Sequence, residues 1–195
     1  FIAVNGASIA TSNLVTDYSS KGANVGDITI GSSVAVDLTA ATASTLRTDL
    51  KGTGTLNITN VEDTTNLNGI GVSKVNVTLK DASDNTYAVN NANWSSAEKI
   101  KVTGADDSLT LSKGTGYDIS SLKSIELGNT GNSLVIGQDA LSSGISSITS
   151  DAADKAVLTL AGTFADFETL VFNLNGTRET IMLLPGSDYY DQVAA

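Results

Sequence analysis

The 195-residue chain carries 11 basic and 21 acidic residues, a formal net charge of −10, with no His, no Cys, one Pro and 18 Gly. Without Cys there is no disulfide framework, thiolate nucleophile or Cys-ligated metal centre, and without His the commonest general base and transition-metal ligand are gone. So acidic a chain does not neutralise phosphates, which makes nucleic acid an unexpected partner, and no run of 18 apolar residues supplies a membrane-spanning helix.

Along the chain, period-two alternation dominates. Ile28 and Ile30, then Val34, Val36 and Leu38, then Leu56 and Ile58, then Val75, Val77 and Leu79 are separated by polar or small residues. The pattern continues at Ile100/Val102, Leu109/Leu111, Ile125/Leu127, Leu134/Ile136, Leu158/Leu160 and Leu170/Phe172/Leu174. Such alternation sends one face of a strand inward and the other to water. Between the runs stand Gly31-Ser32-Ser33, Gly104-Ala105-Asp106-Asp107 and Gly128-Asn129-Thr130-Gly131-Asn132, residues that tolerate positive φ and bond their own backbone. Asp81-Ala82-Ser83-Asp84-Asn85 reads as a hairpin turn between strands at 75–79 and 87–89. Helix signals are short: 41–50 for two turns, 93–98 for one, and 166–170, none able to stand without packing. Ile181–Leu184 reads as a last strand stopped by Pro185, and as a site of self-association if its edge is uncovered. The chain opens at Phe1 with no basic stretch ahead of an apolar one, so it is expected to be a processed product or a piece of something longer.

Internal repetition organises these runs. Ser95-Ser96-Ala97-Glu98-Lys99-Ile100-Lys101-Val102 aligns with Ser120-Ser121-Leu122-Lys123-Ser124-Ile125-Glu126-Leu127, and Ser108-Leu109-Thr110-Leu111 with Ser133-Leu134-Val135-Ile136, both at an offset of 25 (120 − 95 and 133 − 108). A looser third copy runs from Ser146-Ser147-Ile148 to Leu160, and a fourth starts at Phe167-Glu168-Thr169-Leu170. Units this small cannot bury their own apolar face and must stack on one another. The expected fold is all-β: a β-solenoid or parallel β-helix of about 25 residues per coil, with an antiparallel β-sandwich as the alternative. The repeat weakens upstream, so residues 1–92 read as a β-rich N-terminal region, a separate domain or degenerate coils, and 93–195 as the repeat-containing solenoid.

Candidate chemistry lies in the turns. Gly104-Ala105-Asp106-Asp107-Ser108-Leu109 resembles the glycine-rich nonapeptide of RTX proteins, and Gly128-Asn129-Thr130-Gly131-Asn132-Ser133-Leu134 resembles it again with Asn for Asp. In that family, turn carboxylates and carbonyls hold calcium between coils, which makes Asp106, Asp107 and Asn132 the candidate metal ligands and calcium the candidate cofactor. On a strand the two adjacent aspartates point to opposite faces; only a turn lets both reach one ion. Asp151 and Asp154 are weaker acidic positions. Ser/Thr/Asn/Gly/Ala-rich composition, and phrases such as Phe164-Ala165-Asp166-Phe167-Glu168-Thr169-Leu170, resemble bacterial surface-layer proteins and large adhesins exported by type I secretion.

That resemblance implies an extracellular, cell-surface structural module without catalytic turnover. Its partner would be itself, in a lattice or oligomer assisted by calcium, with cell-surface polysaccharide a further candidate. The alternative is an adhesin or glycan-binding module, of a cell surface or a phage fibre, that would use an exposed aromatic such as Trp94. Sequons at Asn57, Asn76, Asn93 and Asn175 are expected by chance in such a composition, with Asn57 and Asn76 on outward strand faces.

Overall fold

Short strands with an aliphatic residue at every second position gain a core only by stacking. In the computed structural model, which describes residues 2–4, 27–81, 85–89, 94, 96–111, 120–137, 145–150, 157–161, 171–174 and 180–183, they stack in parallel. The result is a β-solenoid of about four turns, with coils about 22 residues apart. The strands are β1 (Ile2–Val4), β2 (Ile28–Ile30), β3 (Ala35–Thr39), β4 (Leu50–Val61), β5 (Gly71–Leu79), β6 (Thr86–Val89), β7 (Lys99–Val102) and β8 (Ser108–Leu111). They continue as β9 (Ser124–Leu127), β10 (Ser133–Gly137), β11 (Ser147–Ser150), β12 (Val157–Ala161), β13 (Val171–Leu174) and β14 (Thr180–Leu183).

Two sheets result. Sheet A runs β1-β2-β4-β5-β7-β9-β11-β13, with β3 also beside β4; sheet B runs β14-β12-β10-β8-β6. Every pair among the described residues is parallel, which overturns the antiparallel sandwich. The hairpin read at 81–85 is overturned too: β5 and β6 belong to different sheets, so that stretch is a corner between them, with 82–84 outside the described residues.

Register places like on like. Leu38, Ile58, Val77, Ile100, Ile125 and Ile148 form one inward column of sheet A, each at most 1 % exposed. Leu109 and Leu134, and Leu111 and Ile136, do the same in sheet B. Burying each such side chain is worth about 1.5–3 kcal/mol before the entropy of ordering is set against it.

The 25-residue offset is kept where Asp107 meets Asn132, but the upstream coils are shorter, Asn57 meeting Asn76 only 19 residues on. The third copy corresponds to β11 and β12: Ser147 faces Ser124, and Val157 faces Ser133. Residues 162–170, which hold the start of the fourth copy and the short helix signal at 166–170, lie outside the described residues. Sheet A is continuous across residues 90–93, because β5 pairs with β7.

One helix is described, α1 (Ala40–Leu46), capped by Thr39, whose side chain accepts from the Thr42 amide. The helix expected at 41–50 is thus shorter. Asp49 N donates to Leu46 O to make a turn, and Leu50 already belongs to β4, where its burial outweighs helical propensity. Of the turn expected at 93–98, residues 94 and 96–98 are described, and there Ala97 N donates to Trp94 O.

Candidate functional site: an acidic corner between coils

Where the chain turns into sheet B, backbone amides leave one ladder before entering the next and need other acceptors. Asp107 and Asn132 supply them by one repeated rule. The Asp107 Oδ1 accepts from the amide of Asn85, one coil earlier, at 2.8 Å. The Asn132 Oδ1 accepts from the amide of Asp107 at 3.1 Å, and its Nδ2 donates to Val102 O at 3.4 Å. The backbone steps in time: Ser108 N donates to Asn85 O, Ser133 N to Asp107 O, and Val157 N to Asn132 O. Asp107 and Asn132 are both fully buried. They form an interior polar column, each side chain closing the amide of its counterpart in the coil before.

Asp106 goes the other way. It is exposed, at φ 55°, and its counterpart one coil on, Gly131, has φ 75°. The same left-handed turn is built twice, and Asp is among the few non-glycine residues that accept it readily. The Asp106 carboxylate lies over Gly131, where an added Cβ would stand 1.8 Å from its Oδ1. The structure therefore brings Asp107 and Asn132 together and leaves Asp106 at the surface. Asp107 Oδ1 and Asn132 Oδ1 each accept from a backbone amide inside the corner, while the Asp106 carboxylate stands outside it. Among the described residues no group of three or more acidic side chains is gathered for a metal ion. Asp151 and Asp154 lie outside the described residues.

Beside this column lies a cleft of about 340 Å³, lined by Glu62, Asp63, Thr64, Lys80, Asn85, Thr86 and Tyr87. Asn85 belongs to both features. Lys80 pairs with Glu62 across the cleft. Tyr87 is buried and its hydroxyl donates to Lys80 O at 2.8 Å. Burial first, and then the nearby Asp107 charge, push its ionisation from 10.0 up to about 12.

The aromatic expected to serve a glycan is not available. Trp94 is 3 % exposed and its Nε1 donates to Thr65 O at 3.2 Å, so it packs in the core as an inter-coil strut. A side chain with one polar handle and a large apolar body is worth more to a narrow solenoid inside than outside. The sequons at Asn57 and Asn76 sit in a bonded ladder. Asn57 Nδ2 donates to Asp37 Oδ1 at 2.7 Å, and Asn76 Nδ2 to Asn57 Oδ1 at 2.9 Å. The nitrogens a glycan would need are thus holding coils together.

One cluster was missed in the sequence. Glu126, 8 % exposed, pairs with Lys99 and, at 2.5 Å, with Lys101. Burial raises its ionisation, but bonds from Lys101 and Lys99 outweigh it and the carboxyl ends below its ordinary value of 4.5. The signal was present: at the 25-residue offset, Lys101 falls opposite Glu126.

The fold defines the chain as a parallel β-solenoid with polar columns at its corners. Comparison with protein families, with curated proteins and with solved structures finds no match to it.

Proposed function

We propose that the chain is a structural module of an extracellular surface layer or stalk, a stiff spacer that packs against copies of itself with the help of calcium. The observation that carries this reading is the in-register stacking of coils. Aliphatic columns inside and parallel backbone pairing tie each coil to the next along sheet A, and outside the Asp37–Asn57–Asn76 bonds add to this from β3 to β5 and the Lys99–Glu126–Lys101 bonds between β7 and β9. A stack bonded at every step resists bending and needs no disulfide, which suits a chain exported unfolded. The resemblance of the turns and of the composition to RTX and surface-layer proteins points to the same role.

Calcium enters as a bridge between acidic surfaces. At a net charge of −10 copies repel, and millimolar divalent cation between exposed carboxylates relieves that repulsion. Asp106 is the exposed carboxylate of the corner; Asp107 and Asn132 support the turn that presents it.

The test is a titration of the whole chain with calcium against chelator, following the far-UV circular dichroism, the melting curve and the mass by light scattering. A higher melting temperature with assembly at about 1 mM calcium is expected, weakened by Asp106→Asn. A folded monomer indifferent to calcium at every concentration would overturn the reading.

A further inference from the structure

Between β4 and β5, where later coils place a strand of sheet B, residues 62–70 make no strand. They close on themselves instead. Glu62 N donates to Thr65 Oγ1 at 3.0 Å, Thr65 N to Glu62 O at 2.9 Å, and Asn68 N to Asn66 Oδ1 at 3.0 Å. The last turn, 67–70, is closed by Ile70 N on Leu67 O at 3.4 Å, a long and therefore weak bond. Gly69 stands third in this turn at φ 94°, the positive φ that a type II turn asks of that place. Leu67 and Ile70 are buried, and Asn68 and Gly69 between them are exposed. A Cβ built on Gly69 would meet only Thr48 Cγ2, at 3.6 Å, so the turn stands open to water.

Other asparagines are placed differently. Asn57, Asn76, Asn129 and Asn132 each commit the side-chain nitrogen to a bond with another coil. The residues that follow them are Ile58, Val77, Thr130 and Ser133, all with a Cβ. Among the described residues, Asn68 alone is followed by glycine.

We infer that Asn68-Gly69 is a site of spontaneous covalent modification, at which the asparagine deamidates through a cyclic imide. The Gly69 amide nitrogen, once it has given its proton to base, attacks Asn68 Cγ. The bond from Cγ to Nδ2 breaks and ammonia leaves. Water then opens the five-membered ring at either carbonyl. Opening at Cγ restores the ordinary main chain with an aspartate side chain; opening at the main-chain carbonyl carries the chain through Cβ and Cγ as isoaspartate. One water is consumed and one ammonia released, with no oxidant, metal or enzyme. Glycine leaves the approach uncrowded, and a turn held by one long bond opens locally at little cost.

Either product adds a negative charge to a loop that already holds Glu62 and Asp63. Isoaspartate also lengthens the main chain between the two buried anchors. The same loop is tied to the next coil, since Trp94 Nε1 donates to Thr65 O and Ser96 Oγ to Ile70 O, both at 3.2 Å. The modification therefore reaches a contact between coils. None of this depends on the role proposed above.

The test incubates the full folded chain, warm and sterile, at neutral and at mildly alkaline pH, and maps its peptides by chromatography and mass spectrometry. The peptide holding Asn68 is expected to gain one mass unit, as two products of equal mass, faster at the higher pH. Peptides holding Asn57, Asn76 and Asn132 should keep their mass. Gly69→Ala is expected to slow the change about tenfold or more. Because that variant strains the turn, Asn68→Gln, which keeps the amide but cannot close a five-membered ring, is the second variant and should abolish it. A wild-type peptide that keeps its mass, equal change at Asn57, Asn76 and Asn132, or a gain that survives Asn68→Gln each overturns the site. An aged fraction that melts with the fresh protein overturns its reach to the contact between coils.

Discussion

The upstream coils and the downstream coils make the same solenoid by different means. Upstream, β4 and β5 are 12 and 9 residues long, and bends are put into the strands themselves. Their register shifts between Gly52 and Thr55 and again between Ile58 and Val61, with Gly52 at φ 121° and Asn60 at φ 58°. These are bulges: one extra residue turns the strand and leaves the ladder intact on either side. Downstream, strands are four or five residues long and do not bend. The turning is done between them, by the left-handed residue at Asp106 and Gly131 and by the buried column of Asp107 and Asn132. A strand bent by a bulge depends on one backbone conformation with no room around it. A corner closed by side chains depends on hydrogen bonds that are repeated, and so replaceable. Mutations at the two kinds of bend should therefore differ in size.

The largest effect belongs to Gly52. A Cβ there would lie 2.2 Å from Ile30 O and 2.7 Å from Ile30 N, backbone atoms of the neighbouring strand that cannot swing aside. Its φ of 121° adds strain for any other residue. Gly52→Ala is expected to cost about 3 kcal/mol or more, read as a shift in the denaturation midpoint. A loss under about 1 kcal/mol would mean that the bulge relaxes and that the contrast between the two halves is unfounded.

Next comes the column. Asp107→Ala leaves the half-buried Asn85 amide without its side-chain acceptor and should cost about 1–3 kcal/mol. Asp107→Asn keeps an oxygen in the same place, as Asn132 does one coil on, and should cost clearly less. If the two variants are equally damaging, the charge of Asp107 matters for itself and the column is not the reason it is there. Gly131→Ala ranks third. Its Cβ would collide with the Asp106 carboxylate, but that side chain is exposed and free to turn away. What remains is the left-handed backbone, worth about 1 kcal/mol for a non-glycine residue. The same denaturation curves order all of these variants.

The downstream half was the more legible in the sequence, and the reason is physical. Short unbent strands obey period two without interruption, so Ile100/Val102, Leu109/Leu111 and Ile125/Leu127 announce both their faces and their 25-residue spacing. Bulges break the period where they occur. Leu50 to Val61 is one strand with three residues, Gly52, Thr53 and Gly54, that carry no apolar pattern, so only its end at Leu56 and Ile58 was visible. The turn aspartates were found, but not their division of labour. A turn frees neighbouring side chains from strict alternation, and which of Asp106 and Asp107 goes inward depends on the coil that arrives 25 residues later with Asn132. Trp94 misled for a similar reason: in a polar stretch it reads as exposed, and only the fold supplies Thr65 O behind it.

The smallest expected effect is the pH dependence of the Lys99–Glu126–Lys101 cluster, and it tests whether outer bonds matter beside the inner column. The Glu126 carboxyl lies below its ordinary value of 4.5 in the folded chain, so the folded state releases its proton more readily than the unfolded one. The stability it contributes is fully present above about pH 4.5 and is lost as pH falls through the lower folded value. Both lysines are more than a third exposed and well solvated, which limits the effect of Glu126→Gln to about 1 kcal/mol or less at pH 7. The gap between the melting temperatures of wild type and variant should narrow as pH falls below the carboxylate range, since both then present an uncharged group to two cations. A gap that persists unchanged into strong acid would place the contribution of Glu126 in the packing of its stem, and the two lysine bonds would then add nothing beside the inner column.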